Sequence, residues 1–272
     1  GQHGQATRTG RLVFPGDAHG IEIRTDNACR GGRLLYLGDQ RHVAHLRVTK
    51  RGQKIPPRIA LQQGIAQVAR GDVDAALTSA DVVAEGSFDT GFVEHAYIEP
   101  EAGYAVRVGD RIEVTACTQA PYMDRDDVAA ILGIAPEAVR IVPTAVGGGF
   151  GSKLDLSIQP FIAVAAWHLR RPVRMVYSRP ESMMATTKRH PARITARAGA
   201  SRDGKIIALD FSADFNTGAY ASWGPTVANR VPVHASGPYY VPNYRALTRA
   251  VHTHLVPAGA FRGFGVPQAT IA

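Results

Sequence analysis

A glycine-rich loop at residues 147–151, Gly-Gly-Gly-Phe-Gly, constrains the fold more than any other feature of this sequence. It connects a predicted strand, residues 139–144, to residues 154–169, which are apolar nearly all round at helical spacing and predict a buried helix. Such a loop lets backbone N–H groups approach a ligand, and the following helix N-terminus favours negative charge. The loop does not fit the dinucleotide-binding pattern, because Ser152 stands where Gly or Ala is needed, and it lacks the spacing of a P-loop. Taken alone, it indicates either a ligand-binding turn or a purely structural one.

Periodicities of two and of 3.6 residues alternate after residue 70, which predicts an α+β fold with hairpins and a few buried helices. The clearest hairpin joins residues 102–108 to residues 111–115 through a Gly-Asp pair that favours a tight turn. A helix at residues 124–132 has Asp in its first turn and Gly133 after its end, as the helix dipole and the C-cap geometry favour. Further elements are a helix at residues 71–80 and strands at residues 82–88, 173–177, 192–198 and 206–215.

The first 69 residues show no clear pattern. Short strand-like runs at residues 11–14, 33–37 and 43–48 lie among Gly, Arg and Asp. They indicate a small β-rich domain, or the end of one. We therefore divide the chain into an unassigned N-terminal segment, residues 1–69, and a domain at residues 70–272.

Composition excludes several classes of protein. The chain has 31 Lys and Arg against 23 Asp and Glu, but the basic residues are scattered without interleaved aromatic side chains, which disfavours nucleic-acid binding. Two cysteines, Cys29 and Cys117, cannot form a four-cysteine metal site, and we expect two reduced, buried thiols. No apolar run is long enough to span a membrane, and residues 1–10 lack the core of a signal peptide. We expect a cytoplasmic protein, or a periplasmic one if a partner carries the targeting signal.

Two further clusters carry residues suited to chemistry. Residues 260–268 place Phe261 and Phe264 around an Arg-Gly pair, which could bind an anionic group and stack on a flat ligand. Residues 94–102 hold closely spaced carboxylates and a histidine, which could form a metal site, an acid/base pair or simply a strand-edge turn. His190 is expected to be a structural histidine.

Seven segments, taken together, resemble one known family. They occur in its order and with its spacing: RGDVDAAL at 70–77, EHAYIEPEAG at 94–103, TQAPY at 118–122, GGGFGSK at 147–153, KRHP at 188–191, GPYYVPN at 237–243 and AFRGFGVPQ at 260–268. Through them residues 70–272 resemble the molybdenum-binding subunit of the xanthine dehydrogenase/aldehyde oxidase family of molybdenum hydroxylases. The resemblance implies that residues 70–272 form the first molybdopterin-binding domain and lack the second. A remnant of the family's hammerhead-like domain is one alternative for residues 1–69.

The resemblance also implies an oxidoreductase that hydroxylates an electron-poor carbon with oxygen derived from water. Its cofactor is molybdenum–molybdopterin, with the cytosine dinucleotide form as one alternative. Iron–sulfur clusters of the 2Fe–2S type and FAD are expected on partner subunits, and the protein supplies binding and electrostatics. By the same resemblance, Gln119, Phe150 and Arg262 surround the molybdenum without binding it directly. The implied cofactor-binding residues are Gln119, Gly148, Gly149, Phe150, Gly151, Arg262 and Gly263.

The substrate side of the site is implied by Arg230 and Phe264. Phe264 matches the aromatic residue that positions a planar substrate, and Arg230 matches an arginine that orients substrate and stabilises charge in purine-oxidising members. Those members have a glutamate where this chain has Leu154, which argues against xanthine and hypoxanthine. We therefore expect an aldehyde, or an aromatic N-heterocycle or carboxylate.

The family's general-base glutamate lies in the second molybdopterin-binding domain, beyond the part that this sequence resembles. We therefore expect a second molybdopterin-binding chain that carries it, together with an iron–sulfur subunit and a flavin subunit, and no activity from this chain alone. The chain is then a split subunit or a fragment. An alternative from another class is a non-catalytic remnant or assembly module of the same fold. A nucleotide-binding dehydrogenase is disfavoured because the glycine loop fails the dinucleotide pattern.

Overall fold

The structure is a computed structural model that describes residues 10–11, 22–23 and 62–272. The runs predicted at residues 33–37 and 43–48, most of the run at 11–14, and Cys29 lie outside the described residues. Cys117 is a free, buried thiol, as predicted. In chain order the described strands are β1 (Gly10–Arg11), β2 (Glu22–Ile23), β3 (Gln62–Arg70), β4 (Val82–Asp89), β5 (Ala102–Val108), β6 (Arg111–Ala116), β7 (Val139–Pro143), β8 (Val173–Val176), β9 (Ala192–Ala200), β10 (Ile206–Gly218) and β11 (Asn243–His252).

The helices of the described part are short, and several begin with a proline in the first turn, where a missing N–H costs nothing. None of these helices is long and apolar enough to cross a membrane. They are α1 (Val73–Ser79), α2 (Pro121–Leu132), α3 (Gln159–Leu169), α4 (Arg179–Ala185), α5 (Gly224–His234) and α6 (Val266–Ile271), with 3₁₀ turns at Pro136–Ala138 and Ser152–Leu154.

One sheet has five strands in the order β3-β11-β10-β9-β4, and only β10 and β11 run parallel. The strands predicted at residues 192–198 and 206–215 are β9 and β10, which form an antiparallel hairpin around the turn at Gly204. Strand β3 crosses position 69 and pairs with β11, with Arg70 opposite Tyr244. The division of the chain at residues 69 and 70 stays a prediction. The core of this sheet packs Phe211 and Phe215 against Val227 and Val231 of α5.

A second sheet has four strands in the order β7-β6-β5-β8. The predicted hairpin joins β5 to β6 with Val108 opposite Arg111, and β6 runs parallel to β7. Helices α2 and α3 cover this sheet, with Val128 and Ile162 fully buried against Ile112. The mixed sheets and helices confirm the predicted α+β class.

The helix predicted at residues 154–169 begins later, at Gln159, and this part of the prediction is wrong. Residues 152–154 form a 3₁₀ turn that ends in extended backbone at Asp155. The regular helix starts where Pro160 can occupy its first turn. Nor is the helix apolar and buried all round, because Leu169 is 48% exposed.

The loss of stability on truncating a side chain of α3 should depend on how deeply that side chain is buried. Two aliphatic side chains of this helix provide a matched test. Ile162→Ala removes a fully buried side chain and should lower the free energy of unfolding by about 2–5 kcal/mol. Leu169→Ala, on the exposed side of the same helix, should change it by less than about 1 kcal/mol. Urea unfolding followed by circular dichroism measures both, and equal losses would contradict the described packing.

Candidate functional site

The glycine loop, residues 147–151, folds around the side chain of Gln119. The backbone N–H of Gly151 donates to Gln119 Oε1 at 3.0 Å, and the backbone N–H of Gln119 donates to the Lys153 carbonyl at 2.8 Å. A Cβ atom at Gly149 would collide with the Gln119 amide, so only glycine permits this close approach. Because Oε1 accepts from the loop, the amide nitrogen of this exposed side chain is the group that faces outward as a donor.

The turn also leaves backbone donors available. The backbone N–H groups of Gly148, Gly149 and Phe150 bind no acceptor among residues 62–272. Gly148 has φ +101° and Phe150 has φ +52°, values of the left-handed region that are typical of tight turns with exposed N–H groups. Such an arrangement binds an oxygen atom or an anionic group.

A second loop, residues 260–265, lies against the first. The backbone N–H of Arg262 donates to the Phe150 carbonyl at 2.8 Å, and the Arg262 guanidinium carbon lies 5.2 Å from the centre of the Phe150 ring. Gly151 packs against the Ala260 carbonyl so closely that a Cβ atom would not fit. The structure therefore brings Gln119, Phe150 and Arg262 together, although 143 residues separate the first and last of them.

Arg189 supports this second loop, and the sequence did not single it out. Its guanidinium donates to the Arg262 carbonyl at 2.9 Å and lies 3.8 Å from the centre of the Phe261 ring. Burial, and then the charge of Arg262, lower the pKa of Arg189. One of its terminal nitrogens is buried without a hydrogen-bond partner, and within the described range neither arginine forms an ion pair with a carboxylate. Arg262 of the second loop and Arg189 beside it therefore carry positive charge that no described carboxylate pairs.

Phe264 and Gly263 complete the second loop. The backbone N–H of Phe264 donates to the Phe261 carbonyl at 2.8 Å, and its ring meets the edge of Trp223 at 6.0 Å. Gly263 has φ +91° and leaves no room for a Cβ atom beside Pro267. The partly buried Phe264 ring is thus held in one position.

Arg230 lies on α5, the helix next to this loop. Val227, about one turn before Arg230, and Val231, the residue after it, pack against Gly265. The Arg230 side chain itself is exposed. The structure brings the helix to the loop, whereas the orienting role expected for Arg230 stays a prediction.

Beneath the glycine loop lies a polar network formed by Glu99, Cys117, Gly147 and Lys153, here called the Glu99 network. Glu99 Oε2 accepts from the Gly147 backbone N–H at 2.7 Å, from Lys153 Nζ at 2.9 Å and from Cys117 Sγ at 2.9 Å. Lys153 Nζ also donates to the Glu99 carbonyl at 3.0 Å. One carboxylate therefore binds both Gly147, the first residue of the loop, and Lys153, the second residue after the loop.

The charges in the Glu99 network follow from its geometry. Burial acts to raise the pKa of Glu99, but the hydrogen bonds from Cys117, Gly147 and Lys153, together with the Lys153 charge, outweigh burial and lower it. Burial and the bond to Glu99 raise the pKa of Cys117, so the thiol stays protonated and donates. Lys153 is only 4% exposed, and no sequence pattern predicts that it pairs with a carboxylate 54 residues away.

The carboxylates and histidine of residues 94–102 do not assemble into a metal site. Glu94 pairs with Lys188 at 2.5 Å, His95 Nε2 donates to the Ala260 carbonyl at 2.8 Å, and Glu101 accepts from Tyr97. Burial lowers the pKa of His95 to about 4, so its ring is neutral at pH 7. In the part of the chain that the structure describes, no three acidic, histidine or cysteine side chains form a metal-binding group.

His190 is buried, and its carbonyl accepts from Gln268 at 3.0 Å, as expected of a structural position. Burial and the nearby charge of Arg189 lower its pKa to about 4. Its Nε2 atom has no hydrogen-bond partner among the described residues.

Comparisons with known proteins agree with this geometry. The sequence profile described as molybdopterin cofactor-binding domain matches residues 54–272. The nicotinate dehydrogenase large molybdopterin subunit of Eubacterium barkeri is 45% identical over 202 residues, which cover 74% of this chain and 48% of that subunit. Aldehyde oxidoreductase from Desulfovibrio gigas superposes with a TM-score of 0.75 and 29% identity, over 78% of this chain and 24% of that one.

Quinoline 2-oxidoreductase from Pseudomonas putida 86 superposes with a TM-score of 0.70 and 27% identity, over 74% of this chain and 26% of that one. The chain thus spans about half the length of the nicotinate dehydrogenase subunit and about a quarter of the two solved chains.

Replacing Glu99 tests whether the Glu99 network stabilises the loop. Glu99→Gln leaves the buried Lys153 ammonium opposite a neutral amide and should lower the free energy of unfolding by about 2–4 kcal/mol. Because the pKa of Glu99 is lowered in the folded state, its contribution is complete above its usual pKa of 4.5 and is lost as the pH falls below it. Urea unfolding at several pH values measures this.

Glu113→Gln is the matched control, because Glu113 forms an exposed ion pair with Arg140. It should lower stability by less than about 1 kcal/mol. Equal losses in the two variants, or a loss in Glu99→Gln that does not shrink with falling pH, would contradict the network.

Proposed function

The chain belongs to the molybdopterin cofactor-binding domain family of the molybdenum hydroxylases, and from this premise we propose that it holds one side of the cofactor in a hydroxylase completed by further domains or subunits. The observation that carries the proposal is that the Gln119 amide lies against a loop whose backbone N–H groups at residues 148–150 have no described acceptor. Oxygen atoms around a molybdenum centre are acceptors of the kind that these donors fit.

The cofactor, when bound, supplies oxygen transfer to carbon and accepts two electrons; the chain supplies position and electrostatics. The outward amide nitrogen of Gln119 donates a hydrogen bond without adding charge. Phe150, held in the left-handed region, presents its ring at the surface of the loop, where it excludes water from one side of the cofactor. Arg262 and Arg189 favour negative charge beside it.

For the substrate, we favour an aromatic N-heterocycle that carries a carboxylate. The relative with 45% identity is named as a nicotinate dehydrogenase, and nicotinate is such a molecule. Arg230 is an exposed guanidinium on the helix next to Phe264, suited to a carboxylate, and Leu154 supplies no competing negative charge. An aldehyde is the second candidate, since aldehyde oxidoreductase from Desulfovibrio gigas shares the fold.

Further polypeptides are part of the proposed assembly. The chain spans 48% of the nicotinate dehydrogenase subunit, and we propose that a further polypeptide or region completes the site. We propose that it includes a second molybdopterin-binding chain with the general-base glutamate, an iron–sulfur subunit and a flavin subunit. The cytosine dinucleotide form of the pterin belongs to the same proposal. A non-catalytic module would not need an outward Gln119 amide beside available N–H groups, which disfavours that alternative.

Metal analysis of the native complex tests the proposal. We expect molybdenum equimolar with this chain, iron, and co-purifying subunits, one of which carries the general-base glutamate. A complex that contains no molybdenum and no such subunit would contradict it.

Gln119→Ala should lower turnover of the assembled complex by about 100-fold, because one preorganised hydrogen-bond donor to the cofactor is lost. Molybdenum content per chain should be measured alongside turnover. Gln67→Ala, at an exposed position on β3, is the control and should change neither. Unchanged turnover and unchanged molybdenum content in Gln119→Ala would show that this residue is assigned wrongly.

Arg230→Gln should lower kcat/KM for a heteroaromatic carboxylate by about 10- to 100-fold, the effect of losing one charged hydrogen bond. The parent heterocycle without the carboxylate should lose less than about threefold, since it offers Arg230 no charge to bind. Arg202→Gln, in an exposed turn, should leave both unchanged. If both substrates lose equally, Arg230 does not recognise the carboxylate.

A further inference from the structure

A cavity of roughly 330 Å³ lies beside the start of α3, and none of Gln119, Phe150 and Arg262 lines it. Its wall is mainly apolar, and three aromatic side chains contribute to it: Phe161, Tyr177 and Tyr220. Ser152, which follows the glycine loop, and Asp155 are among its polar residues. The cavity is therefore a neighbour of the candidate cofactor site and separate from it.

Asp155 is the one carboxylate in the wall of this cavity, and its described partners are all hydroxyl groups. Ser222 Oγ lies 2.9 Å from both carboxylate oxygens, and Thr187 Oγ1 donates to Oδ2 at 3.3 Å. Gly259 packs so closely on Asp155 that a Cβ atom there would collide with it. The side chains of Ser222 and Thr187, with the backbone of Gly259 packed beside them, thus hold the carboxylate in a fixed orientation.

No cation balances this carboxylate within the described part of the chain: no Lys, Arg or His lies within ion-pair distance of it. A desolvated carboxylate without a positive partner is unfavourable. Burial accordingly raises the pKa of Asp155 to about 6, although the bonds from Ser222 and Thr187 act to lower it. The negative charge of Asp127 raises it further.

The other ligand classes fit this cavity poorly. An anion would meet the Asp155 carboxylate, and a neutral apolar ligand would desolvate that carboxylate further without pairing it. A metal ion would find a single carboxylate, since no metal-binding group of acidic, histidine and cysteine side chains exists among the described residues. A positively charged group that also carries apolar surface satisfies both the carboxylate and the aromatic wall.

We propose that this cavity binds a compact organic cation, an alkylammonium or guanidinium group, with its charge on Asp155 and its apolar part against Phe161 and Tyr220. The volume lies at the lower end of the range for small-molecule sites. The same chemistry is offered by a free amine and by the Lys or Arg side chain of a partner. Phe161 is 36% exposed and Tyr220 37% exposed at the rim, so both sources can reach the site.

The test titrates n-butylammonium into the full chain, followed by ligand-observed NMR, with 1-pentanol and butyrate as neutral and anionic counterparts of similar size. We expect saturable binding of n-butylammonium, at least about tenfold tighter than that of 1-pentanol, and no binding of butyrate. This comparison needs no variant. Equal binding of n-butylammonium and 1-pentanol, or no binding of n-butylammonium, would overturn the proposal.

Variants then locate the site. Asp155→Asn, which keeps the shape of the side chain, should weaken n-butylammonium binding at least about tenfold. Asp110→Asn removes a fully exposed carboxylate in the β5–β6 turn and should leave it unchanged. If Asp155→Asn, confirmed as folded by circular dichroism, binds the ammonium as the unchanged chain does, the assignment to Asp155 is wrong.

Repeating the titration with the assembled complex distinguishes the two sources. Binding in both the chain and the complex indicates a free organic cation as the natural ligand. Binding in the chain that disappears in the complex indicates that a basic side chain of a partner occupies the cavity. These outcomes are independent of molybdenum content, so a failure of this proposal is distinguishable from a failure of the proposed cofactor site.

Discussion

The arrangement of the candidate site depends on one partly buried ion pair, between Glu99 and Lys153. The Glu99 carboxylate accepts from Lys153 after the glycine loop and from the backbone of Gly147 at its start, so one side chain sets the width of the loop. The loop in turn fixes the Gln119 amide through Gly151. Removing a charge pair from water has a large desolvation cost. The pair nevertheless fixes the geometry of the loop, because neither partner can move without leaving the other unpaired.

The two sheets meet where the site lies. The glycine loop follows β7 of the four-stranded sheet, whereas the Arg262 loop follows β11 of the five-stranded sheet. The bond from the Arg262 backbone to the Phe150 carbonyl joins them, and Arg189 reinforces it from the segment before β9. Positive charge collects on this side, while Asp155, three residues after Ser152, faces a separate cavity with no described cation. The described residues thus form two neighbouring sites of opposite charge, the two loops with their arginines and the cavity with Asp155.

Much of the fold could be predicted from local patterns. The β5–β6 hairpin, the capped helix α2 and the helix α1 with Asp72 as its N-cap all lie where periodicity and turn chemistry indicate. The predicted start of α3 is too early, because apolar residues continue through residues 154–158 although the regular helix begins only at Gln159. Hydrophobic pattern reports burial, and burial alone does not distinguish a helix from an extended segment.

The sequence by itself determined the secondary structure of the hairpins and helices and the family resemblance, because periodicity, turn residues and motif spacing depend on neighbours along the chain. Through that resemblance it also singled out Gln119, Phe150 and Arg262. Only the tertiary structure decided which distant groups pair: Lys153 with Glu99, Arg189 with the Arg262 carbonyl, and Asp155 with hydroxyl groups in place of a cation. The physical reason is that hydrogen bonds and ion pairs act over a few ångströms in space, whereas sequence separation carries no information about that distance until the sheets have packed.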